Sequence, residues 1–160
     1  MKKVGFTIIE LMIVVAIIAF LAVLVVPQLF RYQAKAYQAE VAMNLASLHT
    51  AEEAYFAQHG HYSSVLNGEN GIGWKPAGYK GGGKDEGFHY TYGFNVPDAQ
   101  EGVHYFTGSL NTPKEALGQT QASNEGFSAA AAGNVVSGKK ADVWSITQSR
   151  KIEHVSNGVD

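Results

Sequence analysis

Glu10 is the residue whose chemistry most needs explaining. Every position from Leu11 to Val26 is apolar, and this carboxylate sits at the start of that stretch. An ionised acid in apolar surroundings is costly, so it reads as functional by default and its partner should be named. The candidate partner is the free amino group of Phe6 on a neighbouring copy of the chain, which a cut after Gly5 would expose. Opposite charges about 4 Å apart attract strongly at an effective dielectric near ~20. A paired Glu10 would therefore set the register between two copies, and an unpaired one would destabilise. A helix N-terminus adds a further preference for an anion.

Other reactive combinations are weaker. Gly78-Tyr79-Lys80-Gly81-Gly82-Gly83-Lys84-Asp85 nearly fits a phosphate loop. However, Asp85 stands where a magnesium-binding hydroxyl is needed, and a strand pattern follows where the motif requires a helix. A mobile surface loop is the better reading, and nucleotide binding is not expected. His59-Gly60-His61 is the closest histidine pair, but no third ligand lies at a recognised spacing. These read as exposed histidines at a helix end, and no metal site or cofactor is expected. Asp98 and Glu101 lack the ladder of oxygens of a calcium loop. No Ser-His-Asp order is readable, so no enzymatic activity is expected.

The elements that must hold Glu10 follow from composition. The chain has 160 residues with 12 basic and 14 acidic side chains, a net charge of −2 and no cysteine. That balance gives no general attraction to nucleic acid, and the absence of thiols removes disulfides and Cys-based zinc sites. Phe6 to Val26 is long enough to cross a bilayer as a helix, which takes about 20 apolar residues. Lys2 and Lys3 favour a cytoplasmic N-terminus, although Arg31 and Lys35 on the far side weaken that signal. Ala34-Lys35-Ala36 has the form of a signal-peptide cleavage site. The apolar stretch is nevertheless long for a signal, and Glu10 interrupts its beginning. A simple membrane anchor is the other plain reading, and the same acid counts against it.

Gly5-Phe6-Thr7-Ile8-Ile9-Glu10-Leu11 resembles the prepilin cleavage motif of type IV pilins and their pseudopilin relatives. A weaker likeness to major pilins continues through Gln33-Ala34-Lys35-Ala36 and Thr50-Ala51-Glu52-Glu53-Ala54-Tyr55-Phe56. The resemblance implies a leader, residues 1–5, removed between Gly5 and Phe6, with N-methylation of the new Phe6 amine. It also implies that Glu10 neutralises that amine on a neighbour during assembly.

Downstream, Pro27 removes a helix hydrogen bond and crowds the preceding turn. It marks a kink or the end of the membrane helix, and the resemblance to type IV pilins implies a third reading, local melting on filament packing. Ala19 stands where the family often has glycine, and alanine favours helix by about 1 kcal/mol. Residues 6–30 read as a transmembrane and filament-core helix, and residues 31–60 as its amphipathic continuation. Val41, Leu45, Leu48 and Tyr55 form the stripe of that second half, with Glu52 close to it. Gly60 supplies a stop. From Phe6 to His59 a straight helix would be ~80 Å long. No small domain buries that length, which argues independently for assembly. Arg31, Lys35, Glu40, Glu52 and Glu53 read as a solvated face, with Arg31 and Lys35 as candidates for ion pairs between subunits.

Residues 61–160 read as a head. A loop over 63–87 carries Gly71, Gly73, Gly78, Gly81, Gly82, Gly83 and Gly87. The segment 88–96 alternates like a half-buried strand. Further strands are expected over 103–110, 126–136 and 142–149, the last two joined by a hairpin at 137–140. The fold class is therefore α+β: a long N-terminal helix packed on a roughly four-stranded antiparallel sheet, with a loosely held C-terminal tail. Type IV pilins commonly close this region with a disulfide. Here the hairpin and tail, or the surrounding filament, must do so.

The resemblance implies a structural role: a subunit that leaves the membrane and polymerises into a pilus for surface motility, adhesion and DNA uptake. The implied partners are further copies of itself in a helical homopolymer, a prepilin peptidase, an assembly platform with its ATPases, and a secretin where an outer membrane is present. No specific nucleic acid is among them. The precursor would sit in the inner membrane with its head outside the cytoplasm, and the assembled form would be extracellular. A minor pilin or a type II secretion pseudopilin is the alternative within the family. A monomeric anchored ligand-binding protein is the alternative from another class.

Overall fold

A computed structural model describes residues 5–159, and the side chain of Pro27 is outside that description. The leader residues before Gly5, with Lys2 and Lys3, also lie outside it. The chain divides into two compact units, Met1–Gln33 and Ala34–Asp160.

One helix, α1, spans Ile8–His59 and comprises 52 residues. It is assigned as helix through position 27, so Pro27 does not end it. In the first unit the apolar side chains of α1 are exposed: Ile9 at 67%, Phe20 at 68% and Val23 at 73%. The segment is long and apolar enough to cross a membrane by length and composition, and none of it is buried within the chain.

In the second unit the amphipathic stripe of α1 behaves as its spacing predicts. Val41, Leu45 and Leu48 are fully buried against the head. The helix stops because Gly60 takes a left-handed φ of 75° and donates its N–H to Phe56 O at 2.8 Å. That is the conformation glycine adopts without a Cβ penalty at a helix C-terminus. The expectation of a solvated charged face fails for Glu40 and Glu52. Glu52 is fully buried on the stripe itself, four residues beyond Leu48, and Glu40 is bonded to the head.

The head is an antiparallel sheet of β1 (Thr91–Gly93), β2 (Tyr105–Phe106), β3 (Gln121–Ala122), β4 (Phe127–Gly133), β5 (Asp142–Thr147) and β6 (Ile152–Ser156). The order is β2-β1-β4-β5-β6, with β3 paired to the start of β4. Four expected strands are present in shortened form, and β3 and β6 are additional. The segment 88–96 is not half-buried: Phe88, Tyr90, Thr91, Tyr92 and Phe94 are all inside. Both of its faces are covered, so alternating side-chain polarity gave the wrong burial. Thr91 is accommodated because its hydroxyl donates to Thr112 O at 2.6 Å.

The aromatic rings fit because β4 is small. Ala129 and Ala131 belong to the main core with Tyr90, Tyr92, Phe106 and Phe127. Ala130 and Ala132, alternating to the other face, pack with Leu117 of a short 3-10 turn. Gly133 leaves no space at all, since a Cβ there would meet the Tyr90 ring at 2.8 Å. The tail is not loosely held. β6 pairs with β5, and Gly158 and Val159 beyond it are buried.

Candidate functional site

Gly5, Phe6 and Glu10 come together at the start of α1 because they are near in sequence and Thr7 fixes the turn. The Thr7 hydroxyl accepts the Glu10 backbone N–H at 3.3 Å. The Glu10 carboxylate in return accepts the Thr7 backbone N–H at 2.9 Å and the Thr7 hydroxyl at 2.7 Å. This reciprocal arrangement is a capping box, and it satisfies helix donors that otherwise have no partner. The sequence carried its signature, Thr-x-x-Glu before an apolar run, and the reading of Glu10 as an acid without an intrachain reason overlooked it.

Both Thr7 bonds go to one oxygen of Glu10, Oε2. Oε1 makes no hydrogen bond among the described residues. Phe6 beside it is 71% exposed. A Cβ on Gly5 would meet nothing within 4 Å. The chain's own packing therefore does not demand glycine at that position. The arrangement presents one capped, oriented carboxylate oxygen and an accessible Gly5–Phe6 peptide bond at the tip of an uncovered apolar helix.

Arg31 in the first unit and Lys35 in the second are both exposed, and neither forms an ion pair among the described residues. The acids of the second unit are engaged internally. Glu40 takes the His89 backbone N–H at 3.0 Å, the His89 ring at 2.6 Å and the Tyr92 hydroxyl at 3.0 Å. Glu52 accepts Ser63 N–H at 3.2 Å through Oε2, while its buried Oε1 has no partner among the described residues. Burial pushes the Glu52 carboxyl up to about 7.

Asp142 is the largest polar junction, and sequence reading did not single it out. Its fully buried carboxylate accepts from the Tyr90 hydroxyl at 2.5 Å, the Trp144 indole at 2.8 Å and Gly158 N–H at 3.0 Å. The His154 ring lies 2.7 Å away, and the Gln38 amide of α1 reaches both oxygens at 3.2 Å. Burial alone would raise the Asp142 carboxyl. The bonds from Tyr90, Gly158, Trp144 and His154 outweigh that and hold it below its ordinary value.

The glycine-rich loop does not form a phosphate cradle. The backbone N–H groups of Lys80 and Gly82, which such a loop would turn toward a phosphate, both point at Glu86 Oε1 at 2.8 Å. No helix follows. Among the described residues no group of three or more His, Cys, Asp or Glu is placed to hold a metal ion.

Comparison with known proteins agrees with this geometry. Residues 2–26 match the family described as "Prokaryotic N-terminal methylation motif". The capped, accessible N-terminal segment is thus of the prepilin type. The chain is 35% identical over 123 residues to the type IV major pilin protein PilA of Myxococcus xanthus, covering 77% of this chain and 50% of that protein. It is 37% identical over 71 residues to the prepilin peptidase-dependent protein D of Escherichia coli, covering 44% of this chain and 49% of the relative. It is 35% identical over 72 residues to the type II secretion system core protein G of Pectobacterium carotovorum, covering 45% and 46%. The chain spans about half the length of these relatives. Its N-terminal segment thus carries the prepilin methylation motif, and most of the chain is similar to a type IV major pilin, with shorter similarities to other pilins and pseudopilins.

Proposed function

We propose that this chain is the major structural subunit of a type IV pilus. Glu10 carries the reading. Its Oε2 is spent on the helix cap and its Oε1 is left for a cation from another molecule, beside a cleavable Gly5–Phe6 bond. Cutting there frees the Phe6 amine, and methylation keeps it basic. The amine of one copy then neutralises Glu10 of the next. The uncovered apolar half of α1 trades lipid for neighbouring helices as subunits leave the membrane for the fibre.

The role is structural, not catalytic. The partners are further copies of the chain, a prepilin peptidase, and an assembly platform with its ATPases, together with a secretin where an outer membrane exists. Motility, adhesion and DNA uptake are the uses such a fibre would serve. Mass spectrometry of sheared surface fibres tests the reading. A mature N-terminus at methylated Phe6 is expected, and polymerised protein that retains residues 1–5 would refute it. Glu10→Ala should abolish fibres while leaving the folded head intact.

A type II secretion pseudopilin is the second reading, favoured by the similarity to core protein G. Abundance separates the two, because a major pilin dominates sheared fibres and a pseudopilin does not.

A further inference from the structure

The end of α1 carries two histidines whose geometry has no part in the assembly chemistry. His59 Nδ1 lies 3.1 Å from Tyr55 O, and His61 Nδ1 lies 3.2 Å from His59 O. A carbonyl oxygen can only accept, so Nδ1 is the protonated nitrogen in both rings. Each neutral imidazole then carries its lone pair on Nε2. This is the arrangement found in metal-ligating histidines, whose second ring nitrogen is held by a carbonyl or carboxylate that fixes the tautomer and aims the ring.

The two rings are neighbours. Their centres are 6.1 Å apart with planes at 71°. Gly60 between them, at φ 75°, turns the chain back at the helix end. Tyr55 stacks on His59 at 4.0 Å and meets His61 edge-on at 5.5 Å, so one ring steadies both. Both histidines are exposed, and an ion shared by the pair would sit about 2.1 Å from each Nε2.

The other four histidines are engaged elsewhere. His49 Nε2 bonds Gln148 O, His89 pairs with Glu40, and His154 pairs with Asp142. His104 Nδ1 accepts Gln100 N–H, which is the opposite tautomer.

We propose that His59 and His61 form a surface site for a divalent late transition-metal ion. The two Nε2 atoms would be the protein ligands, and water would complete the coordination. Imidazole ligands suit copper, nickel and zinc, and Cu2+ binds most tightly in that series.

The test titrates CuCl2 into the full-length chain in detergent micelles, read by calorimetry and electron paramagnetic resonance. One Cu2+ per chain with a two-nitrogen signature is expected. His59→Gln and His61→Gln should each lower affinity at least tenfold, and His104→Gln should leave it unchanged. Thermal melting in metal-free buffer checks that the variants fold. Independently of any variant, Cu2+ should selectively broaden the nuclear resonances of Tyr55 and His61 in the unaltered protein. A double variant that binds as tightly as the parent would overturn the proposal. So would a signal with fewer than two nitrogens, or one ion shared by two chains.

Discussion

The imidazole of His154 lies 2.7 Å from Oδ1 of Asp142, and its ring stacks on Trp144 with centres 3.9 Å apart. Asp142 thereby joins β5 to β6, while its bonds to Gly158 and Gln38 reach the tail and α1. Asp142→Asn retains one acceptor oxygen for a cluster of converging donors and should lower head stability by about 2–3 kcal/mol, in the range for breaking charge-assisted bonds to a buried group. Urea unfolding measures it. Because the folded Asp142 carboxyl lies below its ordinary 3.8, its contribution is present above that pH and is lost as pH falls through the lower folded value. The parent should show this acid step, and the asparagine variant should lack it.

Glu52 has the opposite sign. Its folded value of about 7 exceeds the ordinary 4.5, so between these the folded state holds more protons than the unfolded one. Stability therefore falls as pH rises from about 4.5 to 7 and levels off above. The full span is about 3 kcal/mol, since each tenfold change in proton affinity is worth ~1.4 kcal/mol. Glu52→Gln keeps an acceptor for Ser63 N–H and removes the ionisation. Its melting temperature should be flat from pH 5 to pH 8 where the parent's declines.

Thr7 should matter to fibre formation beyond its role in helix capping. Thr7→Ala removes a cap of about 1 kcal/mol and frees the Glu10 side chain to rotate. The yield of sheared fibres should drop, and Thr7→Ser, which restores the hydroxyl, should recover it. Equal yields from the alanine and serine variants would separate Thr7 from assembly.

Arg31 and Lys35 are exposed and form no ion pair among the described residues, so their contribution should appear only between copies. Replacing both with glutamine should leave head melting unchanged and make fibres dissociate at lower salt. Electron microscopy of fibres across a salt series reads the result.

The apolar periodicity of Val41, Leu45 and Leu48 made the packed face of α1 legible, and Gly60 made its end legible. Periodicity sees only apolar side chains, so it assigned Glu40 and Glu52 to water. Their burial depends on Tyr92, His89 and Ser63, which approach from distant parts of the sequence. The Asp142 junction was hidden for the same reason, since Gln38, Tyr90 and His154 meet only after folding. β6 was missed because Ile152-Glu153-His154-Val155-Ser156 is mostly exposed and short, and it gains strand character from its pairing with β5. Thr7, by contrast, was readable from four adjacent residues.

The tail beyond β6 is fastened by a carboxylate, not by sulfur. A head closed in this way matures without any oxidising catalyst. It should keep its shape in dithiothreitol or an oxygen-free medium, where a cystine-closed head would be at risk of opening.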